Sequence, residues 1–227
     1  MKAAVLAGCL LTAVFAAPAA ASPAVPAVHS ASERSALVDR LSALAGGPSR
    51  RALDAALTAY ERAAEHGEVA RANLLTVIDY TRPSTQPRLW VLDLSVGRIL
   101  YHELVAHGRE SGDNATTSFS NAPNSLMTSL GLFVTDSSYV GHNGYSLRLR
   151  GLDPGINDNA WARAIVVHGA AYVSDAIASK LGRLGRSWGC PAVRTDIART
   201  LIDTIKGGTV LFAYGGPTDA GAAASSH

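Results

Sequence analysis

Cysteine is scarce in this chain of 227 residues. Only two cysteines are present, Cys9 and Cys190, and Cys9 falls in a segment that we expect to be removed. A framework of disulfides is therefore excluded in the remaining chain. A lone cysteine in an oxidising compartment pairs with another molecule, lies buried and inert, or takes part in chemistry. Cys190 is accordingly the residue that most needs an explanation.

The N-terminal segment has the pattern of a secretory signal. Met1-Lys2 supplies a positive start, Ala3 to Ala17 is almost wholly apolar, and Ala19 to Ala21 offers the small residues that a signal peptidase selects. The apolar run is too short for a good membrane span, and the lipobox-like Leu6 to Cys9 lies at its front rather than its end. We predict a signal peptide over residues 1–21 and an exported protein of the periplasm or cell envelope.

A charge excess of either sign is also lacking. Twenty lysines and arginines face 18 aspartates and glutamates, which gives a formal net charge of +2. The basic residues are scattered, so neither nucleic acid nor an anionic membrane is indicated as a partner. The chain that follows the signal is long enough for one domain with a proper core, and we expect a monomer.

Two helical patterns precede a region rich in short β-strands. Helices are predicted over Glu33 to Leu44 and Ser49 to about His66, as a hairpin that packs on the main domain. From residue 74 onward β-rich runs alternate with turn residues, and one late helix starts at a capping Thr195 and ends at Gly207-Gly208. The predicted strands cover Leu89–Leu94, Ile99–Ala106, Leu132–Thr135, Ser146–Arg150, Ala164–His168 and Thr209–Tyr214.

These patterns favour an α+β class that is mostly β, a mixed β-sandwich. We expect a leader and helical hairpin over residues 22–73, a main domain over 74–215 and a flexible tail over 216–227.

A cysteine nucleophile needs a base, because a free thiol with a pKa of about 8.5 is only slightly ionised at neutral pH. His168 follows three β-branched residues and precedes Gly169, which places it at the end of a buried strand. Such a strand end can hold an imidazole towards a cleft. A core histidine with satisfied hydrogen bonds is the equal alternative.

The residues around Cys190 favour an exposed turn. Gly189 lets the backbone approach a substrate carbonyl, and the N–H groups of Gly189 and Cys190 can point at a developing oxyanion. Ser187 and Pro191 also favour a turn, which argues against a buried structural cysteine. His107, His142, Tyr139 and Tyr145 lie near glycine-rich turns, and we assign them no catalytic task.

A metal site is not supported by the residues available. His168 and Asp175 have the spacing found in zinc peptidases, but such a site needs a further histidine ligand and a glutamate base downstream. After Asp175 the chain has no glutamate, and its only histidine is the terminal His227. We predict neither a metal nor another cofactor. A papain-like order is excluded as well, because here the histidine precedes the cysteine.

A strand-end histidine followed about twenty residues later by Ser-x-Gly-Cys resembles the signature of the YkuD-like L,D-transpeptidases. The similarity is to their second branch, the murein L,D-transpeptidase catalytic domain family. Seven segments carry it, in the expected order between residues 74 and 214: Val105–Gly108, Phe119–Asn121, Ser129–Phe133, Gly144–Leu147, Asn157–Asn159, Arg163–Gly169 and Gly182–Ala192.

The resemblance implies a YkuD-like β-sandwich and an enzyme that acts on peptidoglycan stem peptides. Cys190 would attack the carbonyl of an L-configured residue, His168 would take the thiol proton, and the backbone at Gly189 and Cys190 would hold the oxyanion. The acyl group would then pass to an amine on a neighbouring stem and close a cross-link.

One departure from the family pattern concerns Trp188. Most L,D-transpeptidases have a second histidine at this place, so His168 would act alone here. Trp188 forms either an apolar wall beside the thiol or part of the core. Arg186 is a candidate for clamping a stem-peptide carboxylate, with a surface ion pair as the alternative. Ser187 steadies the turn or donates to the substrate.

Three outcomes share the same acyl-enzyme: cross-linking, hydrolysis by an L,D-carboxypeptidase, and exchange of a D-amino acid. The rival from a different class is a wall-binding module without turnover.

Overall fold

The computed structural model describes residues 30–216, so the predicted signal peptide, nearly all of the leader and the tail from residue 217 lie outside the described part. Helix α1 spans Ala31–Ser42 and helix α2 spans Arg50–Glu65. Ser30 and Ser49 cap them, since each side chain accepts a hydrogen bond from the amide three residues later. The helical hairpin is confirmed to within two residues at each end.

Within residues 30–216, eight strands form one mixed sheet: β1 Leu74–Asp79, β2 Leu89–Asp93, β3 Arg98–Glu103, β4 Gly131–Gly141, β5 Gly144–Gly151, β6 Val166–Gly169, β7 Ala192–Val193 and β8 Val210–Tyr214. Their order in the sheet is β3-β2-β1-β8-β4-β5-β6-β7. Strand β8 lies parallel to β1 and antiparallel to β4, and β7 lies parallel to β6. Helices α3 (Asp175–Leu181) and α4 (Thr195–Ile205) and a 3-10 turn at Arg109–Ser111 complete the fold.

Alternation along the strands divides the core between two helical layers. Leu75 and Val77 of β1 belong to the cluster that α1 and α2 cover, whereas Ile78 belongs to the cluster that contains Leu201 and Ile202 of α4. Successive side chains of a strand point to opposite faces, so one strand serves both layers. The mostly-β class that the strand pattern predicted is confirmed.

Three elements were not predicted, and one predicted cap is wrong. Strand β1, helix α3 and the two-residue strand β7 were all missed; β7 is defined by its pairing with β6 rather than by propensity. Thr195 is the first residue of α4 and not its cap. Arg194 occupies the N-cap position and makes no side-chain capping bond. Within residues 30–216 no helix is both long and apolar enough to cross a membrane.

Candidate active site

His168 is held between two strands, directly beside the segment that carries Cys190. It pairs with Ser146 of β5 on one side and with Ala192 of β7 on the other. Its amide donates to the carbonyl of Pro191 at 3.4 Å. The side chain is buried, with 5% exposure. The histidine therefore has a fixed backbone position next to the residue that follows the cysteine.

The hydrogen bond of the His168 ring determines which nitrogen is free. Nδ1 lies 3.0 Å from the carbonyl oxygen of Gly169. A carbonyl can only accept, so Nδ1 carries the hydrogen and Nε2 of the neutral ring has a free lone pair. Burial lowers the pKa of His168, and the bond to Gly169 offsets part of that shift. The ring is thus neutral at pH 7 and can accept a proton at Nε2.

The thiol of Cys190 is buried, contrary to the exposed turn that the sequence suggests. The residue is 8% exposed, and Sγ lies 3.7 Å from the carbonyl oxygen of Ala164. Burial raises the pKa of the thiol, while the amide of Val166 and the charge of Arg163 act in the opposite direction. The resting cysteine is therefore protonated. Within residues 30–216, no hydrogen bond joins Sγ to the ring of His168.

Ser187 holds the turn before the cysteine. Its Oγ donates to the carbonyl of Cys190 at 2.6 Å and accepts from the amide of Gly189 at 3.1 Å. Its own amide donates to the carbonyl of His107, and its carbonyl accepts from the amide of Arg109. Of the two roles considered for Ser187, these contacts are those of a residue that steadies the turn.

The backbone at Gly189 requires glycine. Its φ is +118°, and a Cβ at this position would lie 2.7 Å from the carbonyl oxygen of Met127. The amide of Gly189 is bonded to Ser187, whereas the amide of Cys190 has no partner within the described chain. Of the two predicted oxyanion donors, the amide of Cys190 is therefore free, whereas the amide of Gly189 would have to share its hydrogen with Ser187 Oγ.

Arg163 has a structural position, and its charge has a second consequence. Its Nη1 donates to the Ser120 carbonyl and Ser129 Oγ, and its Nη2 donates to Ser125 Oγ and the Met127 carbonyl. No carboxylate pairs with it between residues 30 and 216. The guanidinium thus holds the 120–129 segment and leaves a positive charge beside Cys190. No sequence signal reveals this, because the partners come from a distant loop.

A buried arginine and histidine support the 105–108 segment next to Ser187. Arg88 is 0% exposed, and its Nη2 donates to Nδ1 of His107 at 2.8 Å. It also donates to the carbonyls of Val105 and Arg82. Burial lowers the pKa of Arg88 to about 10. His107 has a structural position in this network, in keeping with the absence of a predicted catalytic task.

The other two predicted substrate contacts differ in their availability. Arg186 Nη1 donates to the carbonyls of Arg109 and Gly112 and to Asp113 Oδ1 at 2.9 Å, so the structure contains the ion-pair alternative. Trp188 is 74% exposed, which excludes the core tryptophan. It stands at the surface, two residues before the cysteine.

Metal ligands do not cluster in the described chain. No group of three or more histidine, cysteine, aspartate or glutamate side chains between residues 30 and 216 could hold a metal ion. The site consists of a protonated thiol, a neutral imidazole on the adjoining strand and one free backbone amide. A thiol, a neutral imidazole and a backbone N–H donor are groups that can carry out acyl transfer through a thioester.

The chain belongs to the L,D-transpeptidase catalytic domain family, YkuD_2, whose family model matches residues 46–214. This confirms the resemblance that the sequence motifs indicated. The match begins before α2, so it includes that helix together with the sheet. Among curated proteins no significant match was found.

Solved L,D-transpeptidases resemble the chain only distantly. The enzyme from Mycobacterium smegmatis has 14% identity and a TM-score of 0.39, with 63% of this chain and 59% of that chain covered. L,D-transpeptidase 1 of Mycobacterium tuberculosis has 15% identity and a TM-score of 0.35, with 63% of this chain and 62% of that chain covered. The enzyme of Xylanimonas cellulosilytica has 16% identity and a TM-score of 0.37, with 63% of this chain and 60% of that chain covered. The chain thus spans about three fifths of these structures, and the superpositions are too distant to inform on the site.

Proposed function

We propose that the protein is an exported L,D-transpeptidase that cross-links peptidoglycan stem peptides through a thioester on Cys190. Family membership supports the reaction class. The observation that carries the cysteine mechanism is the position of His168. Nε2 of His168 is unprotonated, and the His168 amide donates a hydrogen bond to the carbonyl of Pro191, the residue directly after the cysteine.

The first half-reaction transfers the thiol proton to the imidazole. Sγ of Cys190 bonds to the carbonyl carbon of an L-configured stem residue as its proton passes to Nε2 of His168. The carbonyl electrons move onto oxygen, which accepts a hydrogen bond from the amide of Cys190. Collapse of this intermediate breaks the peptide bond, and the departing amine takes the proton from His168. The products are a thioester and the C-terminal fragment of the stem.

The second half-reaction returns the enzyme to its starting state. An amine of a neighbouring stem gives its proton to His168 and bonds to the thioester carbon. The carbon–sulfur bond then breaks, and Cys190 regains its proton. The energy of the new amide comes from the amide already broken, so no nucleotide is consumed. Water or a free D-amino acid in place of the amine gives hydrolysis or exchange.

The test uses purified protein from Ser22 to His227, incubated with a disaccharide-tetrapeptide and analysed by mass spectrometry. A cross-linked dimer that forms with the native chain, and not with Cys190→Ser, supports the transpeptidase. Shortened peptide alone indicates the carboxypeptidase. If no product forms while Cys190→Ser and native protein bind the peptide equally, the chain is a wall-binding module. Thermal unfolding of both proteins shows that the comparison is between folded chains.

A further inference from the structure

Arg148 lies on the same face of the sheet as His168. Strand β5 places Ser146 opposite His168 and Arg148 opposite Val166. Paired residues of antiparallel strands share a face, so Arg148 and His168 project from the same side, two ladder positions apart, with the pair Leu147–Val167 between them on the other face. The direction from His168 to Val166 also leads to the sulfur, because the Val166 amide acts on the Cys190 thiol. Arg148 therefore projects from the face that carries His168, at the ladder position of Val166.

Two aromatic rings flank the guanidinium of Arg148. Its Cζ lies 4.4 Å from the ring centroid of Tyr139 and 5.1 Å from that of Trp161. Tyr139 is in register with Ser146, on the same face of the sheet. The guanidinium charge lies over the face of each ring, but its N–H groups still need acceptors.

Those N–H groups have no acceptor in the described chain. The Arg148 side chain makes no hydrogen bond and no ion pair with any of residues 30–216. Hydrogen bonds from Ser137 are the main cause of the lowered pKa of Asp136, and the charges of Arg150 and Arg148 add to the effect. Asp136 forms no ion pair with Arg148. A half-buried, stacked guanidinium with its edge unoccupied is suited to a bidentate carboxylate. Arg186, the earlier candidate, is already occupied.

We propose that Arg148 binds a carboxylate of the stem peptide, with Tyr139 and Trp161 holding the guanidinium plane in position. The identity of the peptide rests on the proposed function. A tetrapeptide stem has a C-terminal carboxylate close to the bond that breaks, and stems that contain acidic residues have further ones. The shared chemistry is a carboxylate within one or two residues of the reacting carbonyl.

The experiment measures binding apart from turnover, in Cys190→Ala protein. Titration calorimetry compares a tetrapeptide muropeptide whose carboxyl groups are free with one amidated at the C-terminus and one amidated at its side-chain carboxyls. One amidation should weaken binding by about 10- to 100-fold, the usual range for a charge-assisted bond. Adding Arg148→Gln should abolish that difference, and Arg148→Lys should restore part of it. The amidated peptide that loses affinity identifies the carboxylate.

Arg199→Gln is the matched control. Arg199 also stacks on a tyrosine, with its Cζ 4.2 Å from the ring of Tyr145, but it belongs to α4 on the opposite face. This variant should keep the full preference for free carboxylates. Equal binding of free and amidated peptides by Cys190→Ala, or an undiminished preference in Arg148→Gln, would overturn the proposal.

The turnover assay separates this proposal from the proposed function. Cross-linking by the native chain with no loss of preference in Arg148→Gln leaves the function standing and removes the carboxylate site. An Arg148-dependent preference in a chain that never turns over substrate leaves the carboxylate site standing and removes the proposed function. An unchanged rate of Cys190 alkylation in Arg148→Gln shows that the nucleophile itself is intact.

Discussion

Protonation of His107 should destabilise the fold, and the structure allows the size of the effect to be worked out. Arg88 can only donate, so Nδ1 of His107 accepts, and the ring hydrogen lies on Nε2, 3.2 Å from the carbonyl oxygen of Gly112. A second proton would have to enter at Nδ1, against the guanidinium. The pKa of His107 is lowered from 6.5 to about 4, mainly by burial and next by the charge of Arg88.

The sign follows from which state binds the proton first. The folded pKa of His107 is the lower one, so as the pH falls the unfolded chain is protonated before the folded chain. The stabilisation is complete above the unfolded pKa and is lost as the pH falls towards the folded value. With pKa values of about 6.5 and about 4, linkage gives a loss of about 2 kcal/mol between about pH 7.5 and pH 5.

Urea unfolding of the native chain and of His107→Gln across this pH range tests the calculation. At neutral pH the variant should be less stable than the native chain, because Arg88 loses its ring acceptor. Between about pH 7.5 and pH 5, its free energy of unfolding should fall by about 2 kcal/mol less than that of the native chain. Carboxylates titrate alike in both proteins and cancel. Equal pH dependence in native protein and His107→Gln would refute the reasoning.

Three further predictions follow from single contacts. Gly189→Ala should cost more than about 2 kcal/mol of unfolding free energy, whereas Gly182→Ala, whose φ is +65° in open space, should cost about 1 kcal/mol; equal losses in urea titrations would contradict this. Arg163→Met should raise the apparent pKa for alkylation of Cys190 by iodoacetamide, with Arg163→Lys intermediate, and an unchanged profile would exclude the charge effect. Trp188→Ala should leave the unfolding free energy within about 0.5 kcal/mol, because the ring is exposed, and a larger loss would indicate packing that the structure does not contain.

Local patterns were enough to locate the two residues of the proposed chemistry. The β-branched run before His168 and the turn formers around Cys190 are short-range signals, and both correspond to the observed strand and turn. Burial of the thiol was not predicted, because it depends on the backbone of Ala164 and Val166, which pack against it from another part of the chain.

The surroundings of the site depend on register and on distant loops. The partners of Arg163 lie in the 120–129 segment, and the stack around Arg148 requires β4 and β5 to pair as they do. No periodicity announces either contact. Strand β7 has only two residues, so its existence too follows from pairing rather than from composition.

The most direct test of the central claim is intact-protein mass spectrometry of the chain during reaction with a tetrapeptide donor. The account predicts a mass increase equal to the donor without its departing fragment, located on Cys190 by peptide mapping and released by hydroxylamine. His168→Asn should form this adduct far more slowly. Shortened or cross-linked peptide without any adduct on Cys190, or an adduct that forms equally fast in His168→Asn, would contradict the account.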